Sequence, residues 1–352
     1  MRRITLIFIA LLTVALVLLV RQPLTPPTSP VQRPPRPATL VFTGDILLAG
    51  RVGAAIEKSG VAAPFAGVSG VLTKADLAIG NLECPLGTSG KPESKQYTFR
   101  GRPGSAAALS AAGFDVVTLA NNHTVDYGRP ALLETLAALR QCHIRFVGAG
   151  EDGGAARRFI VARAGSPPLR VAILAFSNMQ PTSFYAGTGR PGTNPALPAR
   201  ITADVAVARS QADLVVALFH WGAEFSQTPS NTQRFLAGVA ADAGADLVVG
   251  HHPHVLQGLE KRGNALIAYS LGNFVFPSQG EARRTMMLRY TARQDGSRTA
   301  EVIPCVIDGF QPAVANGAAR EKILGEVRRM SADLGLGIPG DGVVALQGPS
   351  DR

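Results

Sequence analysis

Short apolar runs recur along most of this chain and constrain its fold more than any other feature. They lie at residues 39–42, 77–79, 116–119, 144–147, 171–176, 214–219, 247–249 and 266–269. Because they are rich in Val, Ile, Leu and Phe, they are typical of strands buried on both faces of a sheet. Residues 130–141 and 230–243 predict helices between strands, the second capped by Ser230 or Asn231. This alternation predicts an α/β fold in which helices cover a sheet core.

The chain after these runs carries a different pattern. Residues 286–290 and 301–307 have no helix between them and are expected to pair as antiparallel strands. Residues 318–334 predict a helix, and the last residues of the chain are expected to be loose. We therefore expect one main domain over residues 39–310, followed by a C-terminal helix and a loose tail over residues 311–352.

The N-terminal segment predicts export and membrane attachment. Residues 4–20 carry no charge, two arginines precede them, and Arg21 follows. At about 1.5 Å per residue, a helix of this length spans about 25 Å, enough for a bilayer core with some local thinning. We interpret residues 1–21 as a single-pass signal anchor with a cytoplasmic N-terminus; a cleaved signal peptide is the alternative. Residues 22–38 contain seven prolines and predict an extended linker that holds the main domain outside the cell membrane.

Polar residues follow most of the predicted strands. The richest cluster, Gly250-His251-His252-Pro253-His254, places three of the six histidines directly after a buried run. In an extended loop His252 and His254 point to the same side, so both imidazoles can reach one metal ion at about 2.0–2.1 Å. Five other runs end in a similar way, at Asp45, Glu83, Asn122 with His123, His220 and Asn273. Delivery of carboxylates, amides and imidazoles to strand ends predicts a metal site.

Charge and cysteine content narrow the functional classes. The formal net charge is +10, but five arginines and no acidic residue lie in residues 1–40, and the basic residues elsewhere are scattered. With no recognition motif and no platform of aromatic and basic residues, the sequence argues against nucleic-acid binding. An anionic extracellular polymer is compatible with this charge. The three cysteines leave at least one thiol unpaired within the chain, and their spacing does not indicate a metal site.

Taken in order, the strand-end motifs resemble those of the bacterial capsule synthesis protein family, of the CapA or poly-γ-glutamate synthesis type, which is related to the calcineurin-like metallophosphatases. The motifs are GD at 44–45, GNLE at 80–83, ANNHTVDYG at 120–128, HWGAE at 220–224, GHHPH at 250–254 and YSLGNFVF at 269–276. The resemblance runs from about residue 39 to about residue 277. It implies a four-layer α/β/β/α sandwich and an extracytoplasmic, membrane-anchored protein.

The resemblance also implies roles for particular residues. Those in the positions of metal ligands are Asp45, Glu83, Asn122, His220, His252 and His254. Glu83 stands where a bridging Asp is usual, and His123 matches the histidine that acts on the leaving group. The chain has Asp45-Ile46-Leu47 where phosphatases of this type usually have Asp-x-His, so one metal position would lack a nitrogen ligand. One or two divalent ions are expected, with Mn, Zn and Fe as candidates.

Three residues are candidates for substrate binding: Arg100, Glu224 and Asn273. Arg100 lies in a Phe-Arg segment similar to one in the family, and its guanidinium group suits a carboxylate or a phosphate. Two hypotheses for function are open. In the first, the chain is a membrane-anchored component of capsule polymer synthesis that binds an anionic polymer or its membrane synthesis complex. In the second, it is a stand-alone metal-dependent phosphoesterase or other hydrolase.

Overall fold

The computed structural model describes residues 35–179 and 181–347. The strands in these residues are β1 Ala38–Ile46, β2 Leu77–Leu82, β3 Val116–Thr118, β4 Arg145–Val147, β5 Ala149–Gly150, β6 Ile160–Ala164, β7 Leu169–Ser177, β8 Gly192–Thr193, β9 Leu214–His220, β10 Leu247–His251, β11 Leu259–Arg262, β12 Ala265–Ala268, β13 Asn273–Val275, β14 Arg284–Ala292, β15 Arg298–Asp308, β16 Gln311–Val314 and β17 Val343–Gln347. The α-helices are α1 Gly50–Ser59, α2 Ser69–Leu72, α3 Ala106–Ala112, α4 Gly128–Gln141, α5 Gly153–Arg157, α6 Pro198–Gln211, α7 Asn231–Asp242 and α8 Gly317–Ala332. Short 3-10 helices lie at Ala63–Phe65, Pro103–Ser105, Thr182–Phe184 and Gly280–Arg283.

The predicted signal anchor, residues 1–21, and most of the predicted linker lie outside the described residues. Of the helices that the structure does describe, none has the length and apolar character needed to cross a membrane.

The larger sheet combines a parallel and an antiparallel half. Its strand order is β16-β15-β14-β1-β2-β3-β4, with β13 also paired to β1 and β17 to β15. Strands β1 to β4 run parallel to one another, whereas β14, β15 and β16 pair antiparallel. The β14–β15 pair confirms the antiparallel strands predicted from residues 286–290 and 301–307.

The smaller sheet has a parallel centre and antiparallel edges. Its order is β11-β12-β10-β9-β7-β6, and β7, β9, β10 and β12 are parallel. The edge strands β6 and β11 are each antiparallel to their neighbour. All eight apolar runs of the sequence overlap strands of these two sheets, as predicted.

The two sheets pack face to face, and helices cover their outer faces. Phe42 of β1 and Leu218 of β9 belong to one apolar core between the sheets. Because side chains alternate along a strand, Val41 instead points outward, to a core shared with Leu136 of α4. The smaller sheet has an equivalent outer core, which includes Ile201 of α6. These layers confirm the four-layer α/β/β/α sandwich.

The C-terminal segment corrects one expectation. Helix α8 forms where the sequence predicts it, but the following chain returns as β17 and pairs antiparallel with β15. Val344 and Leu346 are buried, whereas Val343, the residue before Val344, is exposed. This alternation is typical of a strand with one face against the core. The prediction of a loose tail was therefore wrong for residues 343–347.

The cysteines are free thiols. Cys84 and Cys305 are buried, and Cys142 is partly buried. Burial raises the pKa of both Cys84 and Cys305 to about 12. These two thiols therefore stay protonated and pack as small apolar side chains.

Candidate metal centre

The ends of the central strands in both sheets bring polar residues together. In the larger sheet, Asp45 on β1 is in register with Asn81 on β2 and Asn273 on β13. In the smaller sheet, His220 ends β9 opposite His251 on β10. Parallel strands have their carboxyl ends at the same edge of a sheet, where binding sites are usually built.

Two glycines allow the backbone at these strand ends to approach closely. A Cβ atom on Gly44 would lie 1.9 Å from the carbonyl oxygen of Gly272. A Cβ atom on Gly250 would lie 2.0 Å from the carbonyl oxygen of Tyr269. Both obstacles are backbone atoms that cannot rotate away. Glycine is therefore required at each position for the strand ends to meet.

The loop after β10 carries two of the predicted ligands in an unexpected backbone conformation. His252 and His254 have φ angles of 97° and 59°, so the extended loop from which their common direction was predicted is not present. Their rings nevertheless lie close, with centroids 5.7 Å apart. Left-handed backbone at non-glycine residues is costly and clusters at functional sites. His251 has a different environment, with Nε2 3.0 Å from the carbonyl oxygen of Thr43.

Five buried carboxylate and imidazole side chains form two overlapping groups. One group is Glu83, His252 and His254, and the other is Asp45, Glu83 and His220. In each group, one ligand atom from every residue lies within 4.8 Å of the others. Because Glu83 belongs to both groups, its carboxylate is available as a ligand in either of them.

Two imidazole nitrogens face one oxygen of Glu83 at distances longer than ordinary hydrogen bonds. His220 Nε2 is 3.4 Å and His254 Nε2 is 3.8 Å from Glu83 Oε1. That buried oxygen accepts no hydrogen bond from the residues in the structure, and His252 Nδ1 is also without a hydrogen-bond partner among them. Two ligand atoms on one tetrahedral ion, each at about 2.0–2.1 Å, would lie about 3.3 Å apart. The donor set therefore fits a divalent metal ion.

The electrostatics of the cluster agree with that fit. Burial, reinforced by Asp45, raises the pKa of Glu83 well above its ordinary value. Burial lowers the pKa of His220 well below its ordinary value and that of His252 to about 3. Burial opposes protonation of His254 too, but Glu83 and Asp45 outweigh it and raise its pKa to about 10. A divalent cation would favour the ionised carboxylates and neutral imidazoles that act as ligands.

Side-chain amides orient the candidate ligands. Asn81 Nδ2 donates to Asp45 Oδ1 at 2.8 Å and lies 3.3 Å from His220 Nδ1. Asn273 Oδ1 lies 2.8 Å from His254 Nδ1, which leaves Nε2 of that ring for an ion. Asn273 was predicted to bind substrate; here it orients a candidate ligand, and its substrate-binding role stays a prediction. Sequence reasoning missed Asn81, although its place in the GNLE motif of a buried strand was a usable signal.

His123 lies beside the cluster and is held by an acidic and a basic side chain. Its Nδ1 is 2.7 Å from Asp126 Oδ2 and 3.3 Å from Lys95 Nζ. Lys95 Nζ also donates to Asp126 Oδ1 and to the Asn122 carbonyl, at 2.7 Å each. Burial lowers the pKa of His123 despite the opposing effect of Asp126, so the ring is neutral near pH 7. Sequence reasoning missed Lys95 and Asp126, although Asp126 stands three residues after His123 in the same motif.

The remaining predicted ligand, Asn122, joins the group around His220. Its Oδ1 lies 2.8 Å from His220 Nε2, so both atoms can reach one ion. Leu47 stands at the third position of Asp45-Ile46-Leu47, where an Asp-x-His pattern would have a histidine. It is buried in the apolar core between β1 and its helices, so it supplies no ligand.

The other two candidates for substrate binding have no described contact with the cluster. The Arg100 guanidinium lies 4.1 Å from the centre of the Tyr127 ring and donates to the carbonyls of Thr88 and Ser89. Glu224 is exposed in the loop that follows β9. The substrate-binding roles of Arg100 and Glu224 stay predictions.

Comparison with known proteins places this site in context. The family model described as bacterial capsule synthesis protein PGA_cap matches residues 39–278. The PGA biosynthesis protein CapA of Bacillus subtilis (strain 168) is 33% identical over 297 residues, which cover 83% of this chain and 77% of that protein. The capsule biosynthesis protein CapA of Bacillus anthracis is 33% identical over 290 residues, covering 80% and 70%. A solved 5'-nucleotidase from Candida albicans SC5314 is 11% identical with a TM-score of 0.42, and the match covers 85% of this chain and 59% of that one.

Proposed function

The chain belongs to the bacterial capsule synthesis protein family, and on that premise we propose that it acts in the biosynthesis of an extracellular polymer of the poly-γ-glutamate type. The similarity to two Bacillus proteins named for PGA and capsule biosynthesis carries the proposal, because it extends over about four fifths of this chain. Every candidate metal ligand lies inside the range that the family model matches.

We further propose that the cluster around Glu83 binds one or two divalent ions of Mn, Zn or Fe. The support is the buried set of carboxylates and imidazoles, with Glu83 Oε1 facing His220 and His254 without a hydrogen bond. Bound there, such an ion would polarise a substrate oxygen as a Lewis acid.

A hydrolase is the second candidate function, and the environment of His123 favours it. Asp126 accepts a hydrogen bond from Nδ1, which fixes the tautomer and leaves Nε2 to exchange a proton with a bound group. Lys95 holds the Asp126 carboxylate in that position. A component that only binds polymer would not need this arrangement beside the cluster.

The location and partners of the protein are part of the proposal. We propose that residues 1–21 anchor the chain in the cell membrane, with the sandwich outside the cytoplasm. There it would meet an anionic polymer or the membrane complex that synthesises it. The uncharged segment at residues 4–20 and the proline-rich residues that follow support this arrangement.

A complementation experiment tests these proposals. The gene would be deleted in its host, and extracellular polymer would be measured after return of the wild type, His252→Ala, His123→Ala or His143→Ala. His252→Ala should lose metal and polymer. His123→Ala should keep its metal, losing polymer if the protein is a catalyst and retaining polymer if it is a binding component. His143 is exposed and outside the cluster, so its variant should behave as the wild type.

Two results would count against the proposals. Unchanged polymer in the deletion strain would exclude a role in polymer biosynthesis. Polymer production by His252→Ala at the wild-type level, together with less than about a third of an equivalent of metal in the purified wild-type chain, would exclude the metal centre.

A further inference from the structure

A cavity of about 650 Å³ opens beside the candidate metal centre. His254 and Asn273 form part of its wall, so the cavity and the cluster share residues. The rest of the wall comes from the start of α1, the loop after β9, the segment after β13 and the turn between β15 and β16. The volume lies within the range of about 300–1,000 Å³ that is typical of ligand-binding sites. It can hold a few units of a polymer, with the remainder of the chain in solvent.

Two arginines supply positive charge to this wall. Arg51, in the first turn of α1, is exposed, and no ion pair links it to another residue that the structure describes. Arg283 uses Nε to donate to the Ile307 carbonyl at 2.8 Å, which steadies its guanidinium group. Its contact with Asp308 is long, at 3.6 Å, and Asp308 is 98% exposed, so that pair is weak. Both guanidinium groups therefore keep donors for an anionic ligand.

Two aromatic rings of the same wall lie beside His254. The ring of Phe276 lies 5.2 Å from the His254 ring, and the ring of Phe225 lies 6.4 Å from it. Phe225 is 64% exposed, so its ring is accessible to a ligand in the cavity. Rings in these positions can cover methylene groups of a ligand. A ligand made of phosphate alone would give them nothing to contact.

We infer that this cavity is the cleft in which the protein holds an anionic polymer whose units carry a carboxylate on an aliphatic segment. Arg51 and Arg283 bind carboxylates, Phe225 and Phe276 cover the aliphatic segments, and one unit reaches the His254 edge of the metal cluster. The inference rests on the proposed role in polymer biosynthesis and names the surface that would perform it.

Binding of a short oligomer of γ-linked glutamate to the full chain, purified in mild detergent, tests this assignment. Arg51→Gln and Arg283→Gln should each weaken binding about tenfold, and the double variant about 50-fold or more, because each removes a charge-assisted contact. Asp308→Asn should tighten binding about twofold, because it removes a competing negative charge. Arg140→Gln is the matched control. Arg140 is exposed and pairs with Glu151 outside the cavity, so binding should stay at the wild-type value.

A second ligand separates the chemistry of the cleft from general attraction of anions. Phe225→Ser should weaken binding of the glutamate oligomer but leave binding of a polyphosphate of similar charge unchanged. Metal content and melting temperature, measured for every variant, identify any that fails to fold. Wild-type affinity of the double arginine variant for the oligomer would overturn the assignment of this cavity as the polymer-binding cleft. The proposed function would not fall with it, as long as the deletion strain loses its polymer. Equal binding of polyphosphate and oligomer, with no effect of Phe225→Ser, would overturn the carboxylate assignment.

Discussion

Replacement of Glu83 by glutamine should stabilise the metal-free protein and reduce the stability that the protein gains from metal. Glu83 is buried, its pKa is raised, and its Oε1 accepts no hydrogen bond from the residues in the structure. A carboxyl group whose pKa is raised on folding lowers the free energy of unfolding as pH rises above its unfolded value of about 4.3. Glutamine keeps the shape of the side chain without the charge. The metal-free Glu83→Gln protein should therefore be more stable than the metal-free wild type at pH 8.

The size of this effect follows from the charge on the unpaired oxygen. A buried group without a hydrogen-bond partner costs about 1–3 kcal/mol, and the cost is larger when the group is charged, so loss of the charge should gain an amount of this order. Unfolding entropy near 2.1 cal/mol/K per residue, over about 310 residues, converts this to a rise of about 2–5 °C in melting temperature. Metal narrows this difference, and it reverses the order when the metal-free gain is below about 2.3 kcal/mol. At 100 times the wild-type Kd, metal stabilises the wild type by about 2.7 kcal/mol. A variant that binds about 100-fold more weakly would gain only about 0.4 kcal/mol.

Thermal unfolding of both proteins, stripped with chelator and then loaded with Mn²⁺ or Zn²⁺, would show how metal changes the difference between their melting temperatures. Glu57→Gln is the control, because Glu57 is exposed and pairs with Arg102 away from the cluster. Its melting temperature should match the wild type in both states. A metal-free Glu83→Gln protein that melts below the wild type, or one that gains as much stability from metal, would refute the assignment of Glu83 as a buried metal ligand.

Three further outcomes are expected. Metal uptake at pH 8 should release at least one proton per protein, because the pKa of His254 is raised to about 10 without metal, the pKa of Glu83 is also raised, and both groups must be deprotonated to bind an ion. Calorimetry in buffers of different ionisation enthalpy measures this release, and no release would contradict the prediction. Asn273→Ala should weaken metal affinity about 10–100-fold in a competition titration, because the His254 ring would lose the contact that orients it. Unchanged affinity would show that Asn273 does not orient that ring. Gly44→Ala should lower the free energy of unfolding by about 3 kcal/mol, because the added Cβ would overlap the Gly272 carbonyl, whereas Gly325→Ala, in open space on α8, should raise it by about 0.5–1 kcal/mol. Equal effects of the two glycine variants in denaturant titrations would count against the close approach at Gly44.

The sequence predicts the strands of the two sheets well because their signal is local. A run such as Val171–Phe176 of β7 is apolar at every position, which is what burial on both faces requires. Strand β17 was not predicted because only Val344 and Leu346 form its buried face, and two apolar positions are too few to define the two-residue period of a strand. Its pairing with β15 depends on a partner about 45 residues earlier in the chain, which a local pattern does not contain.

The residues of the candidate site could also be predicted from the sequence, because each carboxylate or imidazole of the cluster lies near the end of a strand or within three residues after it. The sequence could not determine which atoms meet. Asn81 and His220 are 139 residues apart, and they contact only because the ends of β2 and β9 face each other across the sandwich. Tertiary packing also determines the hydrogen bond from Lys95 to Asp126 and the position of Arg283 in the cavity wall. Strand periods are set by neighbours along the chain, whereas contacts between loops are set by sheet register and by how two twisted sheets stack.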